Sequence, residues 1–188
     1  QKRWLRKEEL LADAAEKASI AAQWLGARPY PLERLNDAWT LVIGGHFHDI
    51  AAGPATPRAY EFAWNDDVIA MNQFAGVLTS ATAGVAAAMN TESKGVPVVV
   101  FNPLNIARED LVEATVDFPG GMPKAVRVTG PDGKDVPAQV SQGKVIFVAS
   151  VPSVGYEVYY VQAGTAAGES VSQLRVTNDE MENKYYRV

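Results

Sequence analysis

Apolar residues recur every three or four positions over the first half of the chain and every second position over most of the remainder. The first spacing is that of an amphipathic helix and the second that of a half-buried strand. Leu11, Ala15, Ala18, Ala22 and Leu25 form one apolar stripe, which Gly26 and Pro29 bring to an end. A second stripe of Leu32, Leu35, Trp39, Val42 and His46 follows Pro31, a residue suited to a first helical position, with Glu33 favoured by the N-terminal dipole. Asp49 to Pro54 reads as a turn. Thr56-Pro57 then reads as an N-cap and a first helical residue. The third stripe runs through Tyr60, Trp64, Val68, Met71, Ala75, Leu78, Thr82, Val85 and Met89, about 30 residues or about 45 Å of helix. Three stripes joined by short loops predict a three-helix bundle over 1–92.

The pattern changes near Asn90–Gly95. Val98–Phe101 is a continuous apolar run stopped by Asn102-Pro103, and Val112, Ala114, Val116 and Phe118 alternate with Glu113, Thr115 and Asp117. Turn signals at Gly120-Gly121, Gly130–Gly133, Gln142-Gly143 and Ser153–Gly155 separate expected strands at 125–129, 136–140, 145–151 and 156–162. Short strands with regular turns predict an antiparallel β-sandwich over 93–188. Gly164–Ser172 reads as a loop, and 174–177 and 185–188 as two further strands. The expected class is therefore an α+β multidomain chain. A last strand that stops at the terminus, and a charged opening without a start Met, lead to the expectation of a fragment of a longer polypeptide.

Composition narrows the chemistry. The net charge is −5 with a sequence pI near 5.1, and no basic stripe offers itself to phosphates, so nucleic acid is not an expected partner. No uninterrupted run of about 18 apolar residues exists, so no membrane span is expected. There is no Cys, which excludes disulfides, thiolate ligands and a Cys nucleophile but does not fix the compartment. Both histidines lie in Gly44-Gly45-His46-Phe47-His48-Asp49-Ile50, where the second stripe runs into the turn. An imidazole beside a carboxylate at a helix end suits metal ligation, although spacing alone favours a histidine that caps or packs at the helix C-terminus. His46 continues the stripe of Trp39 and Val42 and is expected to pack. Trp4, Trp24, Trp39 and Trp64 are of a type that stacks on sugars, but at helical spacing they are expected in the core. Asp66 and Asp67 are neighbours on a helix and point about 100° apart, so they do not form a catalytic pair.

Three segments in order resemble glycoside hydrolase family 38, the retaining α-mannosidases. His48-Asp49-Ile50-Ala51-Ala52-Gly53 is similar to that family's His-Asp-Ile-Leu-Pro-Gly turn, Val98–Leu104 to the strand opening its β-sandwich region, and Glu182–Val188 to the segment that begins its larger β-domain. Ala59–Asp66 is similar to the start of the third helix in a bacterial branch. The departures are Ala51-Ala52 for Leu-Pro, Pro54 for Ser or Thr, and His46 for Gln. The resemblance implies hydrolysis of terminal α-linked mannose with retention, in an enzyme with one zinc ion. It implies His48 as a zinc ligand and Asp49 as a contact to mannose hydroxyls. It implies no catalytic residue in this chain, because the nucleophile, the general acid and the remaining zinc ligands belong to an N-terminal domain. That missing domain and an α-mannoside are the implied partners. The alternative from a different class is a non-catalytic module that binds carbohydrate or protein without metal.

Overall fold

The computed structural model describes residues 1–164 and 175–188. Helices come first and antiparallel sheets follow, an α+β arrangement. The chain divides into two compact units. The first holds Gln1–Asn90, Phe101–Ala107 and Ser153–Gly155, and the second holds Thr91–Val100, Arg108–Pro152 and Tyr156–Val188.

Four helices occur among the described residues, one more than the pattern predicts. They are α1 (Lys2–Trp24), α2 (Leu32–Gly45), α3 (His48–Ala52) and α4 (Pro57–Ala88). The additional helix is a five-residue turn of helix where the sequence pattern gives a plain turn. Thr56 caps α4, its hydroxyl accepting from the Ala59 amide at 3.4 Å, with Pro57 at the first turn. Pro31 is the N-cap of α2 rather than its first helical residue. The three long helices share one core of Ala12, Ala15, Leu35, Ala38, Val42, Ala70, Phe74 and Val77. Trp39 stacks edge-on against Phe74 with centroids 5.7 Å apart, and its indole N–H donates to Glu16 at 2.6 Å.

The buried face of α4 is Ala63, Asp67, Ala70, Phe74, Val77, Ala81, Gly84 and Val85. The expected stripe through Tyr60, Trp64 and Val68 lies about one position to the side, and Trp64 and Val68 are exposed. A face of alanines around an aspartate carries less apolar weight than the large residues beside it, so periodicity selects the wrong flank. The same reason displaces the tryptophans. Trp39 is half-buried, whereas Trp4, Trp24 and Trp64 are exposed. Leu25 and Leu32 are exposed as well. Helix α4 also holds an 18-residue window with mean hydropathy 1.3, long and apolar enough by length and composition to cross a membrane, although no unbroken apolar run exists. Here it packs Phe74, Val77 and Val85 into the interior of the helical unit and buries Asp67.

In the second unit the sheets are β1-β7-β3-β4 and β2-β6-β5. The strands are β1 (Val96–Asn102), β2 (Arg108–Ala114), β3 (Val126–Thr129), β4 (Asp135–Val136), β5 (Ala138–Ser141), β6 (Lys144–Val151) and β7 (Gly155–Ala163). Alternation drives the burial. Val126 and Val128 point inward from β3 and Val145, Phe147, Ala149 and Val151 from β6, while Arg127 faces out and pairs with Asp135 at 2.8 Å. One cluster takes residues from both sheets, with Phe147 and Tyr159 rings 5.0 Å apart at its centre. Pro137 stands between β4 and β5, where the chain passes from one sheet to the other, and its missing N–H suits a break in the ladder. Strand β2 ends at Ala114, so Val116 is buried from irregular chain rather than from the expected strand.

After β1, the buried Asn102 amide donates to Ile106 O at 2.8 Å and its Oδ1 accepts from Leu104 N at 3.1 Å, which fixes the turn the Asn-Pro pair announces. Strands β8 (Arg175–Val176) and β9 (Met181–Glu182) form a short hairpin. The expected strand at 185–188 is instead an isolated bridge, Glu182 to Arg187, with paired Met181 and Val188 backbones. The loop expected at 164–172 lies, beyond Gly164, outside the described residues.

The Tyr159 hydroxyl accepts from Ser150 N at 2.7 Å and donates to Ser150 O at 3.0 Å, tying β7 in one sheet to β6 in the other. Tyr159→Phe should therefore cost about 1–2 kcal/mol, the loss expected when part-buried backbone groups are left without a partner. Urea unfolding checks this; a midpoint equal to that of the unsubstituted chain would show the hydroxyl to be idle.

Candidate functional site

The segment bearing both histidines leaves the end of α2 through Gly45, which is buried. A Cβ at this position would stand 3.3 Å from Leu5 Cδ2 and 3.4 Å from Asp67 Oδ1, so glycine lets the backbone seat against those side chains of α1 and α4. His46 caps α2 in a helical conformation, its amide donating to Val42 O at 3.0 Å. Its ring lies at the rim rather than in the core, with Nε2 3.6 Å from Glu9 Oε1 and over a third of the side chain exposed. The expectation of a packed His46 is corrected on this point. Asp49, His48 and Ile50 belong to α3, so His48 opens a new helix instead of closing α2.

The backbone of α3 is held from both sides. Ile50 and Ala51 amides donate to Phe47 O at 3.0 and 2.9 Å, and Ala55 N donates to Asp49 O at 3.1 Å. The Tyr60 hydroxyl, from the first turn of α4, donates to Ile50 O at 3.1 Å and reaches Asp49 O at 3.4 Å. Gly53 ends the helix at φ 109°, in the left-handed region that glycine adopts without strain. The side chains are free by comparison. The His48 side chain is 76% exposed and Asp49 52%. His48 Nε2 sits 3.4 Å from Asp49 Oδ1, and its ring is tilted against Phe47 with centroids 4.3 Å apart. Beside them Ile50–Gly53, Tyr60, Trp64 and Gln1–Arg3 line an open hollow of about 520 Å³.

This arrangement brings together one imidazole and one carboxylate. A zinc site needs about three protein ligands when catalytic and four when structural. Among the described residues no three His, Asp or Glu converge on one point, so these residues cannot close a zinc site by themselves. The donor pair suits part of such a site. The buried acids Glu8 and Asp67 lie beneath Gly45 at the start of this segment, but at 0% and 3% exposure no substrate reaches them. Asp66 and Asp67 do diverge, Asp67 inward and Asp66 half-exposed. Tyr60 is the anchoring residue that sequence reasoning missed. In the sequence it falls within a helical stripe, and only its hydroxyl, three residues after a proline N-terminus, hints at a polar task.

Neither a family model nor a curated protein matches the sequence. Solved structures do match its fold. A protein in glycosyl hydrolase family 38 from Enterococcus faecalis superposes with TM-score 0.75 at 18% identity, over 99% of this chain and 27% of that one. The chain shares that fold. An alpha-mannosidase from Enterococcus faecalis V583 gives TM-score 0.72 at 19% identity, over 97% of this chain and 26% of that one. The chain thus spans about a quarter of the length of either neighbour.

Removing the Tyr60 hydroxyl should loosen α3 without unfolding the helices around it. For Tyr60→Phe, amides of Ala51 and Ala55 should exchange several-fold faster, as expected for losing about 1 kcal/mol locally. Hydrogen exchange followed by NMR is the measurement, with Val42 as the internal control; unchanged Ala55 exchange would contradict the anchoring role.

Proposed function

We propose that this chain is a portion of a family 38 glycoside hydrolase, a retaining zinc-dependent α-mannosidase acting on terminal α-linked mannose. The observation that carries the reading is the fold match over 99% of the chain to a family 38 protein, joined to the His48-Asp49-Ile50 sequence at an exposed, backbone-anchored turn. The domains would divide as a helical bundle over 1–92 and a β-sandwich over 93–188.

In this reading His48 supplies one zinc ligand and the rest of the polypeptide supplies the others. When bound, zinc holds sugar hydroxyls and favours the distorted, oxocarbenium-like state of the ring. Asp49, an acceptor when ionised, takes hydrogen bonds from mannose hydroxyls and so orients the ring. The same carboxylate lies 3.4 Å from the His48 imidazole, where it steadies the ring electrostatically. Tyr60 and Gly53 keep both residues on a fixed backbone, so the two side chains leave the chain from set positions. Retention requires two carboxylates about 5–5.5 Å apart at the scissile bond. This reading assigns both to the portion of the enzyme outside this chain.

The test is His48→Ala in the parent polypeptide. The variant should lose its zinc and most of its hydrolysis of an aryl α-mannoside, while the stability of the helical unit stays within about 0.5 kcal/mol, since the side chain is exposed. The 188-residue chain alone should not hydrolyse that substrate. Full zinc content and normal turnover in the variant would sink the assignment. So would a natural polypeptide whose intact mass is near 20.3 kDa, which would put the binding module in its place.

A further inference from the structure

Helices α1 and α4 bury two carboxylic acids against each other. Glu8 on α1 and Asp67 on α4 are both buried, and each acts on the ionisation of the other. Neither acid joins a Lys, Arg or His in an ion pair among the described residues. Gln1 Nε2 donates to both oxygens of Asp67, at 2.9 and 3.2 Å, whereas both oxygens of Glu8 are buried without a donor. The surroundings add little positive charge. Glu9 repels Glu8 and Asp66 repels Asp67, the α-amino group that the 188-residue chain carries at Gln1 attracts Asp67, and α2 contributes Gly45, which carries no charge. Two ionised carboxylates in such a place cost several kcal/mol. A single proton removes the repulsion and gives one Glu8 oxygen a partner, as an O–H that can donate.

We propose that Glu8 and Asp67 share one proton that latches α1 to α4, and that alkalinisation opens the latch. The proton sits on Glu8 and is donated to an Asp67 oxygen. Burial first, and then the charge of Asp67, push the Glu8 carboxyl from 4.5 up to about 7, and burial raises Asp67 too. Between those two values the folded chain holds a proton that the unfolded chain has released. Stability from the latch is therefore complete below about pH 4.5 and is lost as pH rises through about 7. Because Asp67 also abuts Gly45, the latch lies directly under the start of the histidine segment.

Glu8→Gln keeps the shape and replaces the shared proton with a permanent N–H donor. Thermal melts of the 188-residue chain from pH 5 to pH 8.5 are the experiment. The unsubstituted chain should lose roughly 5 °C or more beyond any loss seen in Glu8→Gln, and the variant should melt higher at pH 8.5. All other groups are common to the two proteins, so the difference between them isolates the pair. An identical pH slope in both overturns the latch. So does a rise in melting temperature at pH 8.5 on adding calcium or magnesium to the unsubstituted chain but not to Glu8→Gln, which would put a metal ion where the proton is placed. Should the variant not fold, a carbon-13 NMR titration of the Glu8 carboxyl in the unsubstituted chain decides. A midpoint near 7 supports the latch, and one near 4.5 rejects it.

Discussion

The helical unit depends on close approach between helices whose facing surfaces are made largely of alanine. Ala12, Ala15, Ala18 and Ala22 on α1 and Ala63, Ala70 and Ala81 on α4 leave little side chain between the backbones, and Phe74 fills the space that remains. Interhelical distance follows the size of the residues at the contact. Small residues bring the axes together and put any polar group in the seam under low dielectric. The acid pair, the seating of Gly45 and the position of the histidine segment all follow from that proximity.

The cost of an alanine seam is that large apolar side chains find room elsewhere. Phe62, Trp64, Val68 and Ile69 of α4 and Phe47 ahead of α3 are exposed. Loosely placed single hydrophobes are ordinary on protein surfaces. In the β unit the division is cleaner, because a strand sorts its residues by parity. Val145, Phe147, Ala149 and Val151 are all in, and their neighbours are partly or fully out.

Parity is why the β half was so legible from sequence. The strands at 125–129, 145–151 and 156–162 fall within a residue or two of β3, β6 and β7, and the turn glycines mark their limits. The helices were legible as helices, with Thr56-Pro57 opening α4 as read. Their faces were not, because a scale that rewards bulk undervalues Ala63, Ala70 and Ala81 and treats Asp67 as solvent-facing. The candidate site was legible as a motif and not as a shape. His48-Asp49 could be named, but Ala51-Ala52 with Gly53 could be a turn or a short helix, and the long-range hydroxyl of Tyr60 decides where that backbone sits. The buried Glu8 and Asp67 left no sign at all, since 59 positions separate them and nothing local pairs them.

The contrast within α3 has a kinetic and entropic meaning. Its carbonyls are tied down by Tyr60 and Ala55, yet the His48 and Asp49 side chains stand mostly in water. Ordering a side chain on binding costs on the order of 0.5–1.5 kcal/mol. A ligand engaging both residues spends that much on rotamers and almost nothing on backbone. On the reading proposed above, such a ligand would bind and leave quickly, and packing added around the imidazole would slow its departure.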